Sequence, residues 1–476
     1  MKKLKKIVLA LIIAVSLFGC KNQMDGKSIN DLPENYNKER KQQLAELAVI
    51  GNYSLSEDEV TSNLFSFLSG KEDLNRAAVT EQYSIKKIDS ETISLANVQI
   101  AENRSAFLEK YDDVDFYLYQ ISGTNDENLG YAVLTNDRRI GEIISITDNY
   151  EFHSDISKVP FMQMFCLKLE NYINETAEIW NSLTDDDLEE ARAAYSDLVT
   201  SGNYTFDVLK YNTGNISHLL TTEWDQREPY NEAIKVLKGD NYPAGCGTIA
   251  VAQVMAFHEY PKSCSDNIKN ELKSKWPPAS SWDGNYDWNK IKADPLGLYL
   301  SKDGEVMIGA LMYQVAEGIK STYDTSGTGS YETDYPSFLT SIGYTTDSVQ
   351  SYSFSGIYDS INNGCPVIIA GDAIKNIEEH RFLWWSWETV TGYEPGHAWV
   401  IDGYCNLKCT ATNDNDVQTF TTNFVHCNFG WANGCNGYYI DNVFTANLGA
   451  TLSDGIIQNV ARESIGKKII ISLILT

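Results

Sequence analysis

The chain has 476 residues, 43% of them hydrophobic and 22% charged, with 10 Trp and 28 Tyr, which excludes a disordered tail protein and a low-complexity or collagen-like fibre. A formal net charge of −27 repels phosphate, so neither nucleic acid nor an anionic membrane surface is an expected partner. At about 100–200 residues per domain the length predicts two or three domains, each large enough to bury a core without disulfides or metals.

Lys2, Lys3, Lys5 and Lys6 precede the apolar run 7–18, which is followed by Gly19 and Cys20. The run is too short to span a bilayer but suits the core of a secretory signal. A small residue before Cys resembles a bacterial lipoprotein cleavage box, although Phe18 is bulkier than such a box usually has. Residues 1–19 are therefore expected to be a signal peptide, with Cys20 as the lipid attachment point and residues 20–37 as a polar tether. The plain alternative is an ordinary secretory signal cut nearby. Either way export is expected, to the outer face of a bacterial membrane or into the medium. Eight further cysteines permit disulfides in an exported protein, but their spacing assigns no pairing and no zinc pattern.

Residues 38–200 read as one α+β unit. Residues 40–49 and 64–68 have helical spacing, then VDFYLYQIS, LGYAVLTND and IGEIISITD read as strands. Residues 161–180 and 185–199 return to helical periodicity. The polar stretch 201–215 reads as an exposed junction between domains. Beyond it Trp, Tyr and Gly become frequent. CGTIAVAQVMAFHEY, from Cys246, has the pattern of a helix. CPVIIAG (365–371), HAWVIDGY (397–404) and FVHCNFGW (424–431) read as strands, and the apolar end 467–476 as a terminal edge strand.

Four residues in this second part have chemical promise. Cys246 opens a helix, where free N–H groups and the helix dipole favour a thiolate; the alternative is a buried structural Cys. His397 begins a strand after Gly396 and suits the imidazole that such a thiolate needs as ion-pair partner and acid, or else is a satisfied core His. Asn428 lies on the next strand-like run, where an amide oxygen would fix the imidazole tautomer; Asn in a turn is the bland reading. Gln226 precedes Cys246 by some twenty residues and would donate to an oxyanion beside the Cys246 N–H, or would face solvent as an ordinary loop Gln. Trp384, Trp385 and Trp387 stand in the long segment before His397, as a cleft-bordering loop or a loop packed on its own domain.

The order Gln, Cys, His, Asn is that of papain-like cysteine proteases. The strings LTTEWDQREPYN, YPAGCGTIAVAQVMAFHEYP, YDWN, CPVIIAG, GHAWVIDGY and HCNFGWANGCNGYY closely resemble the streptopain family of bacterial cysteine proteases, over most of residues 216–444. The resemblance implies a zymogen. It would have an inhibitory pro-domain (38–200), a junction cut for activation (201–215) and a papain-like peptidase domain (216–476). In that fold, of the α+β class, a helix carrying the Cys packs on an antiparallel sheet carrying the His. It also implies Cys246 as nucleophile, His397 as general base and acid, Gln226 as oxyanion donor and Asn428 as the residue orienting His397. Phe429 and Trp431 join the three tryptophans as cleft candidates. The chain departs from the family at Gly247 and Thr248, where a Val and an Ala usually follow the nucleophile, and at Phe429, where the family has Trp.

The expected activity is that of a secreted cysteine endopeptidase acting through an acyl-enzyme. Its partners would be protein or peptide substrates and its own pro-domain, and it would need no metal or organic cofactor. Two rivals keep the same fold. One is a catalytically impaired surface binding protein, motivated by the altered positions after Cys246. The other is a papain-like acyl transferase or cell-wall hydrolase using the same residues.

Overall fold

A computed structural model describes residues 34–51, 53–71, 82–148, 160–194, 205–211, 218–324, 327–346, 350–375, 378–389, 392–412, 417–432, 434–445, 458–462 and 467–473. The proposed signal, Cys20 and most of the tether lie outside them. Twelve helices are described: α1 Glu34–Ile50, α2 Glu57–Lys71, α3 Pro160–Trp180, α4 Asp185–Ala194, α5 Glu232–Lys238, α6 Cys246–His258, α7 Asp266–Lys275, α8 Trp288–Ile291, α9 Lys302–Gly318, α10 Tyr335–Ser341, α11 Phe354–Asn362 and α12 Asn442–Thr445. The strands are β1 Tyr83–Ser94, β2 Asp113–Gly123, β3 Asn128–Thr135, β4 Ile143–Asp148, β5 Thr205–Tyr211, β6 Thr322–Tyr323, β7 Thr328–Gly329, β8 Tyr344–Thr346 and β9 Gln350–Ser351. They continue with β10 Val367–Lys375, β11 Glu378–Phe382, β12 Trp385–Thr389, β13 Gly392–Thr412, β14 Val417–Asn428, β15 Gly437–Ile440, β16 Gln458–Arg462 and β17 Lys467–Leu473.

Local chemistry sets several of these boundaries. At α2 the Ser56 hydroxyl accepts from the Glu59 N–H, and the Glu59 carboxylate accepts from the Ser56 N–H. Thr184 and Asp187 repeat the same reciprocal cap at α4, satisfying N–H groups that a helix start leaves unpaired. Along α3 the buried Phe165, Leu169, Tyr172, Ile173 and Trp180 recur at helical spacing, which presses one face onto the sheet. In β2 buried and part-exposed residues largely alternate, as expected of a strand with one face in a core.

One large sheet runs through the molecule in the order β1-β2-β3-β4-β15-β14-β13-β10-β17-β16-β8. Its central strands are buried on both faces. On one face, Ile368 and Ala370 of β10 and Ala398 and Val400 of β13 join a core built with α6 and α9. On the other, Val367, Ile369, Trp399 and Ile401 join a core shared with α2, α3 and β2–β4. The period of two along a strand divides each sequence between two cores. The expected α+β class, with a Cys-bearing helix on an antiparallel sheet carrying the His, is what the fold contains.

Two expectations are corrected. The stretch 201–215 is not irregular throughout: β5 pairs along β13, from Thr205 opposite Thr412 to Tyr211 opposite Asn406. There β13 also pairs with β14, so β5 is the third strand of a sheet extension, and Phe206, Val208, Leu209 and Tyr211 give it a strand-like composition within the polar stretch. The C-terminal strand β17 is also not at an edge. It runs parallel to β10 on one side and antiparallel to β16 on the other, and its apolar run Ile469, Ile470 and Ile471 fits an interior position. Among the described residues none of the eight cysteines is joined in a disulfide. No described helix is long and apolar enough to cross a membrane.

The N-terminal strands join the rest through one seam. β4 pairs with β15, Ile146 opposite Tyr438, and the Asp148 N–H donates to the Asn436 carbonyl at 2.7 Å. Beside it, buried His426 on β14 lies 2.6 Å through Nδ1 from Asp402 and 3.2 Å through Nε2 from Asp148. Burial opposes the charged imidazole, but the two carboxylates prevail and push its pKa from 6.5 up to about 9. A raised folded-state pKa gives stability that is complete below the unfolded value near 6.5 and is lost as pH rises through about 9. The span corresponds to about 3 kcal/mol. Thermal melts of the wild type are therefore expected to lose more stability between neutral pH and pH values above 9 than melts of His426→Gln; equal losses would contradict the seam charge.

Candidate active site

α6 is the inner helix of the second core. Gly247 to Ala256 are all buried, and apart from Thr248 and Gln253 the run is apolar on every side, as a helix enclosed by other elements must be. Its start is fixed by Gly245, at φ 94°, in the left-handed region that glycine enters without cost. A Cβ there would also stand 2.9 Å from the Thr328 carbonyl oxygen. The Thr328 hydroxyl donates to the Pro243 carbonyl at 2.7 Å, so the turn before the helix is held against β7. Cys246 follows as the first helical residue.

Three backbone N–H groups, of Ala398, Gly247 and Cys246 itself, point at the Cys246 sulfur and favour the thiolate. Desolvation is larger and leaves the thiol pKa raised. The expectation of a thiol lowered by the helix start is thus met by the direction of the N–H contribution, while burial decides the net sign.

His397 is next to Ala398 on β13, opposite Gly371 on β10, where the ladder slips by a residue. A bulge of this kind re-aims side chains. The imidazole is 3% exposed. It stacks parallel to Trp399, centroids 6.0 Å apart, and lies 5.8 Å from the Trp431 ring and 6.3 Å from Phe429. Its Nε2 is 3.1 Å from the Phe429 carbonyl oxygen and 3.2 Å from the Trp431 indole nitrogen. One nitrogen cannot serve both: protonated it donates to the carbonyl, and unprotonated it accepts from the indole. Burial among these rings pushes the imidazole pKa down to about 4, opposed only by the Phe429 carbonyl. Cys246 and His397 are thereby both held in neutral forms, not as the ion pair expected from their residue types. Ala398 brings its N–H to the sulfur, while the His397 ring sits with Trp399 on the other side of the strand.

Asn428 has a different set of partners from the one expected. Its Nδ2 donates to the Thr222 carbonyl at 2.6 Å. Its Oδ1 accepts from Gln253 Nε2 at 3.1 Å and from the Gly430 N–H at 3.2 Å. Gln253 Oε1 in turn accepts from the Thr222 hydroxyl and the Trp224 N–H. The amide thus ties β14, α6 and the segment 222–224 together, and the Phe429 carbonyl occupies the place beside the imidazole. The physical reason is strand alternation: consecutive residues 428 and 429 face opposite sides, and the His397 ring lies on the Phe429 side. Gln253 was missed in the sequence, although a single amide within IAVAQVMAF is the signal of a buried polar hub.

Gln226 is 8% exposed, and its carbonyl accepts from the Ala244 N–H at 2.8 Å, which holds it beside the Cys246 turn. Phe429 is buried and Trp431 half-buried. Trp384 and Trp385 are buried at the tip of the β11–β12 hairpin within the core shared with the N-terminal unit, so they are packed and do not border an open cleft. Trp387 lies on β12 opposite His380, and its side chain is outside the described residues. Among the described residues no group of three or more His, Cys, Asp or Glu is placed to hold a metal ion.

Residues 224–439 match the model of the Peptidase C10 family. The matched stretch is just under half of the chain. It contains Gln226, Cys246, His397 and Asn428. The chain is 22% identical over 346 residues to streptopain of Streptococcus pyogenes serotype M1, covering 68% of this chain and 73% of that protein. It is 23% identical over 345 residues to another Streptococcus pyogenes streptopain, with the same shares covered. Among solved structures, a prointerpain A fragment of Prevotella intermedia aligns with a TM-score of 0.43 and 19% identity, over 74% of this chain and 96% of that one. Active interpain A, a cysteine protease of the same organism, aligns with a TM-score of 0.33 and 21% identity, over 53% and 98%. The family match and the streptopain relatives support a cysteine peptidase.

Removing the Asn428 amide strands Gln253 and the Thr222 carbonyl in the core. Asn428→Ala is expected to lower the unfolding free energy by about 2 kcal/mol or more in urea titrations. The His397 ring titration, followed by NMR, is expected to stay in place; a shift would return Asn428 to the imidazole.

Proposed function

We propose that this chain is an exported cysteine endopeptidase made as a zymogen. The observation that carries the reading is the Cys246 sulfur at a helix start, facing the N–H of the residue next to His397. In the proposed reaction the Cys246 thiolate attacks a peptide carbonyl. The oxyanion is held by the Cys246 N–H and the Gln226 side-chain amide. His397⁺ gives its proton to the departing amine, and the neutral imidazole then takes a proton from the water that cleaves the acyl-enzyme.

Latency follows from electrostatics. A raised thiol and a lowered imidazole keep the proton on sulfur. The His397 ring is enclosed by Trp399, Phe429 and Trp431, and Trp399 and Phe429 pack in the core that residues 38–200 help to build. Releasing that unit in the 201–215 junction would admit water to the imidazole, which favours the ion pair, and free the ring to turn toward Cys246. Because β5 lies within the junction, release also requires the ladder between β5 and β13 to part. The basic start, the apolar run 7–18 and Cys20 support export with a lipid anchor.

The test compares protein from residue 21 onward with Cys246→Ala, under reducing conditions. Wild type alone is expected to shorten to a fragment beginning within 201–215 and then to hydrolyse casein. If the chain is cut there by an added protease and the C-terminal part neither cleaves casein nor reacts with a peptide electrophile, the peptidase reading fails and the surface-binding alternative replaces it. Cross-linking of an added amine, or clearing of cell-wall material with casein left intact, would move the reading to a transferase or wall hydrolase.

A second expected outcome concerns the latent form. At neutral pH, alkylation of Cys246 in the uncut chain is expected to be slower than that of an unstructured cysteine peptide, and to accelerate after the junction is cut. Equal rates before and after would remove burial as the cause of latency.

A further inference from the structure

Gly247 stands where streptopain-like sequences carry a larger residue, and the space is occupied. A Cβ at Gly247 would stand 2.1 Å from the Tyr335 hydroxyl oxygen and 2.5 Å from the Ser330 hydroxyl oxygen. The two hydroxyls are 3.0 Å apart. Tyr335 is 1% exposed and opens α10; Ser330 directly follows β7, whose Thr328 packs on Gly245. Glycines on both sides of Cys246 therefore let one wall, Thr328 to Tyr335, come against the first turn of α6.

Resting on the peptidase reading of this site, we infer that Tyr335 is a positioning residue for the Cys246 nucleophile, its hydroxyl, paired with that of Ser330, standing as a neutral donor against the first turn of α6. A buried phenol with one hydrogen-bond partner among the described residues has capacity left over. When Ser330 donates to the Tyr335 oxygen, the phenolic hydrogen is free to turn toward the first turn of α6. A hydroxyl dipole aimed at a thiolate in a low-dielectric site lowers its free energy without adding charge. The phenol keeps its proton, because desolvation and then the Cys246 charge both raise its pKa. It would stay a donor at every pH at which the thiolate exists. The glycine at 247 then has a purpose: it clears the approach of the hydroxyl to the helix start.

The test is the pH profile of Cys246 alkylation by iodoacetamide in the full chain, read from the mass of the Cys246 peptide. Tyr335→Phe keeps the ring and removes only the hydroxyl. Its profile is expected to move up by about one pH unit, roughly a tenfold loss of rate below the midpoint, as for losing a hydrogen bond to a charged group. Ser330→Ala, at a half-buried position, is expected to move it the same way by a smaller amount, and decides the matter if Tyr335→Phe does not fold. A folded Tyr335→Phe with an unmoved profile overturns the inference, since packing alone would not shift a titration. The alkylation needs no turnover, so the two readings separate. A shift without casein hydrolysis by the cut wild type sinks the peptidase and leaves the inference. Hydrolysis without a shift does the reverse.

Discussion

Everything at the site depends on burying α6 on all sides while leaving its first residue usable. A helix that is apolar around its whole circumference has to be enclosed, and β10, β13 and α9 enclose it. Its only internal polar hub, Gln253, is satisfied by Asn428, Thr222 and the Trp224 N–H, and this network fixes how far the helix is inserted. Position along the axis then determines where Cys246 emerges, and the two glycines beside it determine what approaches from the side.

The same enclosure sets the electrostatics. Desolvation raises a thiol and lowers an imidazole, and both shifts disfavour the charged pair that the chemistry needs. Backbone N–H groups at the sulfur and the Phe429 carbonyl at the imidazole oppose the shifts without reversing them. A site poised this way responds to hydration. The N-terminal unit contributes to that enclosure indirectly: β4 extends the sheet through β15, and its core supplies much of the apolar surroundings of Trp399 and Phe429. His426, clamped between Asp402 and Asp148, places a charge-dependent link on that seam.

Much of the fold was legible in the sequence where one face of one element carries the pattern. The runs that became β2, β3 and β4, the periodic helix α3 and the start of α6 at Cys246 all follow from local spacing and turn residues. The errors arose where pairing partners decide. The polar 201–215 stretch gained β5 from a ladder with β13, and the C-terminal strand became interior through β10 and β16; neither partner is close in sequence. Trp384 and Trp385 read as a cleft loop because large aromatics near a candidate His invite that reading, yet the hairpin carries them into the N-terminal core.

By itself the sequence determined the residue types at the site, their order and the elements that bear them, because a helix start, a strand and their glycines are short-range matters. Tertiary structure decided which groups meet. Strand alternation separated Asn428 from the imidazole and gave that place to a backbone carbonyl, which no side-chain motif encodes. The absence of a side chain at Gly247 became the presence of Tyr335, from nearly ninety residues away along the chain. Protonation was likewise decided in three dimensions, since desolvation depends on what surrounds a group and not on which residues precede it.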